Sequence, residues 1–159
     1  MKKSKPRRWT ANPLAMFGAL DRVTLVKDAG SDNVKMRIVA HDALDMLRQG
    51  KATRGHLQMV IEAINMAETL AARYNIGRDW LPEILEAQAC VRALAERSVK
   101  INKYVLKGTE LNALNLLMQI HDSQLEACSI YTLDQAVAYI RMRIGANQVL
   151  VLPTPEVSA

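Results

Sequence analysis

The stretch TRGHLQMVIEAINMAETLAARYNIG, residues 53–77, decides the fold class. Leu57, Val60, Ile61, Ile64, Ala67, Ala71 and Tyr74 recur at intervals of three and four, the spacing that lines one face of an α-helix. Thr53 can cap the first turn, and the pattern stops near Asn75-Ile76-Gly77. An amphipathic helix of this length needs neighbours to cover its apolar face.

Those neighbours are helical too. Upstream, Met36, Val39, Ala40, Ala43, Met46 and Leu47 mark a helix from about Asn33 to Gln49, stopped by Gly50. The few residues joining it to the segment from Thr53 favour an antiparallel hairpin. Further upstream, Asn12-Pro13 reads as the start of a short helix over roughly Pro13 to Val23, followed by a loop over 28–33. Downstream, Asp79 opens the longest predicted helix, over residues 79–107, with Pro82 in its first turn and Gly108 at its end. Its stripe is Ile84, Ala87, Val91, Leu94, Ile101 and Val105, and its length comes to roughly 42 Å at 1.5 Å per residue.

Thr109 is the expected cap of a fifth helix. In it Asn112, Asn115, Gln119, Asp122 and Glu126 form a narrow polar stripe on an otherwise apolar rod. Such a helix belongs in the centre of the fold or at an oligomer interface, and a symmetric homodimer is the assembly it suggests. A sixth helix starts at Thr132, with Gln135 in the capping-box position, and ends at Gly145. Val149-Leu150-Val151-Leu152 either packs on the bundle in extended form or reaches a partner chain, and docking is the commoner fate of an ordered apolar chain end. The expected fold is therefore all-α: a compact bundle of about six helices over 13–145, with an arm over 1–12 and an extended tail over 146–159.

Composition agrees. The 159 residues suit a single domain, half of them are hydrophobic, and only seven are aromatic (one Phe, two Trp, four Tyr). No apolar run reaches the roughly 20 residues that span a bilayer, and the N-terminus is too broken for a signal peptide. Cys90 and Cys128 lie in apolar helical stretches and read as buried thiols, which points to the cytoplasm.

Chemistry is sparse. His41, His56 and His121 are isolated in sequence, with no His-x-x-x-His, Cys-x-x-Cys or Glu-x-x-His spacing, so neither metal nor cofactor is expected. The seven glycines are scattered rather than gathered in a phosphate loop, and Glu83 and Glu86 read as solvated. His121 shares an apolar stripe with Leu114, Leu117, Met118, Leu125 and Cys128, and is expected as a core or interface histidine with a partner for one ring nitrogen. Its separation from Cys128, about 10 Å along a helix, is too long for direct proton transfer. Enzymatic catalysis is not expected.

Basic surface is the remaining candidate. Lys2, Lys3, Lys5, Arg7 and Arg8 supply a charge equal to the formal net charge of +5, leaving 16 Lys and Arg against 16 Asp and Glu in the rest of the chain. The basic excess belongs to an arm, with Trp9 beside it for stacking or for anchoring the arm to the body. Within the long helix Arg97, Lys100, Lys103 and Lys107, spaced three, three and four, form a second cationic stripe over about half its circumference.

Leu106-Lys107-Gly108-Thr109-Glu110-Leu111-Asn112-Ala113-Leu114-Asn115 and Ile120-His121-Asp122-Ser123-Gln124-Leu125-Glu126, with Gln49-Gly50-Lys51-Ala52-Thr53-Arg54 and Ala63-Ile64-Asn65-Met66-Ala67-Glu68 before them, resemble short helical proteins of proteobacterial phages and prophages. The likeness covers roughly residues 34–145 and implies a mobile-element setting, with no functional residues to carry over. Together these features point to a non-enzymatic accessory protein that binds a host protein in the bacterial cytoplasm, for instance as a counter-defence inhibitor. The alternative is a DNA-binding transcriptional regulator that holds phosphates through the arm and the cation stripe.

Overall fold

A computed structural model describes residues 31–152. The arm over 1–12, the helix expected over Pro13 to Val23, and residues 153–159 lie outside the described residues. Five α-helices follow in order: α1 (Ser31–Arg48), α2 (Arg54–Tyr74), α3 (Leu81–Ile101), α4 (Gly108–Ala127) and α5 (Ile130–Gly145). A 3-10 turn, Arg78–Trp80, precedes α3. No strand occurs among the described residues, and no helix there is long and apolar enough to cross a membrane.

Helix α2 is the axis of the fold, packed against α1, α3, α4 and α5. Leu57, Val60, Ile61 and Ile64 are shut away from solvent, as the spacing in 53–77 requires. They meet Ala43 and Leu47 of α1, Ile84, Val91 and Leu94 of α3, and Leu114, Leu117 and Met118 of α4. A smaller cluster gathers Met66, Leu70, Cys128 and Ala136 between α2 and α5. Helix α4 spends its apolar surface inside the chain: Leu114, Leu117, Met118, Ile120 and Leu125 are all buried.

The long helix is shorter than its periodicity suggests. Expected over 79–107, it begins at Leu81 and ends at Ile101, where Asn102 takes a left-handed φ of 49°. Two side chains hold the chain beyond that point: Arg97 donates to the carbonyl of Val105 at 3.0 Å and to the carboxylate of Glu110. Ile101 and Val105, assigned to the buried stripe by spacing, are exposed.

Two caps also move. The fifth helix starts at Gly108 rather than after Thr109, because Glu110 reaches back to accept the backbone N–H of Lys107 at 2.8 Å. The sixth starts at Ile130, two residues before Thr132, because the Ser129 hydroxyl accepts the backbone N–H of Thr132 at 3.1 Å. The end of the described chain packs onto the body: Leu152 is buried in the main core, and the Leu150 carbonyl accepts Asn65 Nδ2 at 3.0 Å.

Candidate functional site

Helices α1 and α5 stand on either side of α2 and leave a groove between them. Met59, Glu62, Ala63 and Met66 form its floor, because residues at i, i+3, i+4 and i+7 share one face of α2. Met36 and Val39 of α1 make one wall, and Val137, Ile140 and Ile144 of α5 make the other. Leu150 and Val151 line it as well, so the docked chain end helps to shape the groove. Its volume is about 450 Å³, within the range of ligand pockets.

Its walls are apolar and open to solvent. Met36, Val39, Met59, Ile144 and Val151 are each between 38% and 48% exposed, a clustering of large apolar surface that a folded chain ordinarily hides or uses. Glu62 and Arg141 add one charge of each sign among the lining residues.

Asn65 and His121 also line the groove, and each has a buried polar atom without a hydrogen-bond partner among the described residues: Asn65 Oδ1 and His121 Nδ1. Asn65 spends its amide N–H on Leu150. Burial pushes the His121 imidazole down to a pKa of about 4, outweighing the opposing pull of Asp122, so the ring is neutral at pH 7. Asp122 is engaged elsewhere, with His41 Nε2 at 2.9 Å and Arg37 Nε at 3.2 Å. The expectation of a core histidine holds for burial, but the partner expected for its ring is not found at Nδ1. Asn65 Oδ1 is thus an acceptor left unpaired beside an apolar groove, a cost to the fold rather than an exposed contact.

The cation stripe does not exist as a stripe. Arg97 is committed to Glu110 and Val105, while Lys103 and Lys107 lie in the loop after α3. Only Arg97 and Lys100 share the helix, and Lys103 leans toward the turn at Gly50, where an added Cβ would lie 3.7 Å from its Cε. Lys2, Lys3, Lys5, Arg7, Arg8 and Trp9 lie outside the described residues.

Cys128 is buried and its thiol is pushed up to about 11 by desolvation, which leaves it protonated and inert at neutral pH. No cluster of three or more His, Cys, Asp or Glu side chains able to hold a metal ion occurs among the described residues. The groove was missed in the sequence because its lining comes from four helices and the chain end. One signal was present: Met59 and Met66 are apolar, seven residues apart, and absent from the stripe that defines the core face of α2.

Among the described residues the fold is all-helical, with an open, largely apolar groove beside its central helix. Compared with protein-family models, curated proteins and solved structures, the chain matches none of them.

Proposed function

We propose that this is a non-enzymatic binding protein whose groove takes an apolar-faced helix of a partner protein. The observation that carries the reading is the exposed apolar surface of Met36, Val39, Met59 and Ile144 around an open groove. Helix-in-groove recognition uses anchors at i, i+3, i+4 and i+7, and methionine-rich walls adapt to such anchors because the thioether chain is unbranched and polarisable. In the mobile-element setting implied by the resemblance, the partner is a host protein of the bacterial cytoplasm, with counter-defence inhibition as the role.

The DNA-binding alternative has lost part of its support, since Arg97 serves the loop after α3 and the remaining cations do not share one helix face. The test is affinity capture from host lysate with the wild-type chain and with Met59→Asp. A partner retained by the first and lost by the second is the expected result. Equal capture by both would overturn the groove as the contact. Binding of duplex DNA that weakens steeply with salt, with a smaller slope after deletion of residues 1–8, would install the regulator in its place.

A further inference from the structure

We propose that in the free protein the groove is covered by a second copy of the chain, the two groove faces packed about a twofold axis with Glu62 of each copy against Arg141 of the other. The inference rests on the groove being a protein-binding surface, and names what covers it before a host helix arrives. Three observations converge on a second copy.

The first is that one chain carries both halves of the contact. The α5 wall, Val137, Ile140, Arg141 and Ile144, repeats the i, i+3, i+4 and i+7 spacing of the α2 floor. Helix α5 also has the fewest buried residues of the five helices: ten of its sixteen residues are apolar or aromatic, yet only Ala136 is buried. A helix this apolar calls for cover on more than one side, and within the chain α5 packs chiefly on α2. The groove therefore suits the kind of helix that the chain itself presents. A twofold contact requires that match, because a patch that meets its own copy must accept whatever it offers.

The second is charge. Glu62 on the floor and Arg141 on the α5 wall are both exposed, and neither has an ion-pair partner among the described residues. Glu62 accepts Gln58 Nε2 at 3.3 Å. Arg143, two residues further along α5, is by contrast engaged inside the chain, with Glu68 at 3.7 Å and over the Tyr139 ring at 5.7 Å. One anion and one cation in the same patch are self-complementary across a twofold axis, where they form two crossed pairs.

The third is area. Three helices abreast at about 9 Å spacing make a face about 28 Å wide, and over about four turns, or 22 Å, it covers about 600 Å². A stable interface takes roughly 600–1,000 Å² from each partner, so two such faces reach the lower bound. A host helix and a second copy then compete for one surface, and dimerisation weakens the apparent affinity for the host in proportion to the fraction of chains it ties up.

Sedimentation equilibrium of the full-length chain, from about 1 to about 100 μM, tests this. The expected mass at the upper end is twice 17.7 kDa. Glu62→Arg and Arg141→Glu change exposed side chains and should keep the wild-type thermal melt. Each should raise the dissociation constant at least about tenfold, because each reversal sets like charges together at two symmetric points. An equimolar mixture of the two variants should associate as tightly as the wild type, since one chain then brings two cations and the other two anions. The double variant should do the same.

A wild-type mass of 17.7 kDa across the whole range overturns the proposal. So does a dimer indifferent to both reversals, which would place the interface elsewhere. Variants that dissociate singly and stay apart when mixed would overturn the crossed pairing. A monomeric wild-type chain whose capture of a host partner is still abolished by Met59→Asp sinks the dimer and leaves the proposed function standing. A dimer restored by mixing, with equal host capture by wild type and Met59→Asp, does the reverse.

Discussion

Arg97 and Glu110 are joined by two charge-assisted hydrogen bonds, Nη1 to Oε1 at 2.8 Å and Nη2 to Oε2 at 2.6 Å, across the loop between α3 and α4. Burial raises the Glu110 carboxyl, yet the Arg97 bonds and the Lys107 backbone N–H outweigh it and hold the group below its ordinary value. One ion pair thus closes a loop, caps a helix and removes a cation from the surface.

Arg97→Ala should destabilise the fold by about 1–3 kcal/mol, less than for a fully buried pair because the arginine is partly open to solvent. Urea unfolding at pH 7 measures it. Because the folded carboxyl is depressed, its stabilisation is present above the unfolded carboxyl pKa and fades as pH falls through the folded value. The variant should therefore lose less stability than the wild type on acidification through that range. Equal losses would show that the pair is electrostatically idle.

Leu117 is fully buried in the main core, on the face that α4 turns inward. Leu117→Ala should cost about 2–5 kcal/mol, the spread depending on how far the site collapses. Chemical denaturation with an unchanged m-value gives the figure. A loss under half a kcal/mol would mean that the face is misassigned.

His121 carries a second pH dependence with its own window. Its folded pKa is lowered to about 4 by burial, so the unfolded chain binds the proton more readily and folding stability falls as pH drops from about 6.5 toward 4. Above that window the stability is fully present. The loss approaches about 3 kcal/mol at the bottom of it, at 1.36 kcal/mol per pKa unit. His121→Phe should flatten the stability profile between pH 7 and 4.5, and a profile of unchanged slope would refute the assignment.

Gln124 Nε2 donates to the carbonyls of Ala67 at 3.0 Å and Ile76 at 2.8 Å, tying the end of α2 to α4. Gly77 sits against that amide: its φ is 72°, and an added Cβ would lie 3.2 Å from Gln124 Cγ and Nε2. Gly77→Ala should cost about 1–3 kcal/mol from left-handed strain plus displacement of the amide. Thermal melts compared with Gln124→Ala would then show sub-additive losses in the double variant.

Local pattern carried much of the helical reading. The residues of 53–77 place α2 because their periodicity and end signals are contained in the segment itself, and the same holds for the bodies of α1, α4 and α5. Pattern failed where a distant group intervened. Val105 continues past Asn102 the apolar spacing that runs through Ile101, but Arg97 and Glu110 draw the chain into a loop there. Thr132 resembled a cap until Ser129, packed at the end of α4, took that role.

The groove lay beyond the reach of the sequence for the same reason. Met36, Met59, Ile144 and Val151 each look like ordinary members of apolar stripes, and only the packing of α1 and α5 on α2 shows that they remain uncovered. By itself the sequence determined a helical body with a charge-balanced composition and a basic arm, since periodicity and charge are properties of neighbouring residues. Only the tertiary structure decided which cations stay available and where apolar surface is left open, because burial and ion pairing depend on groups brought together from far along the chain.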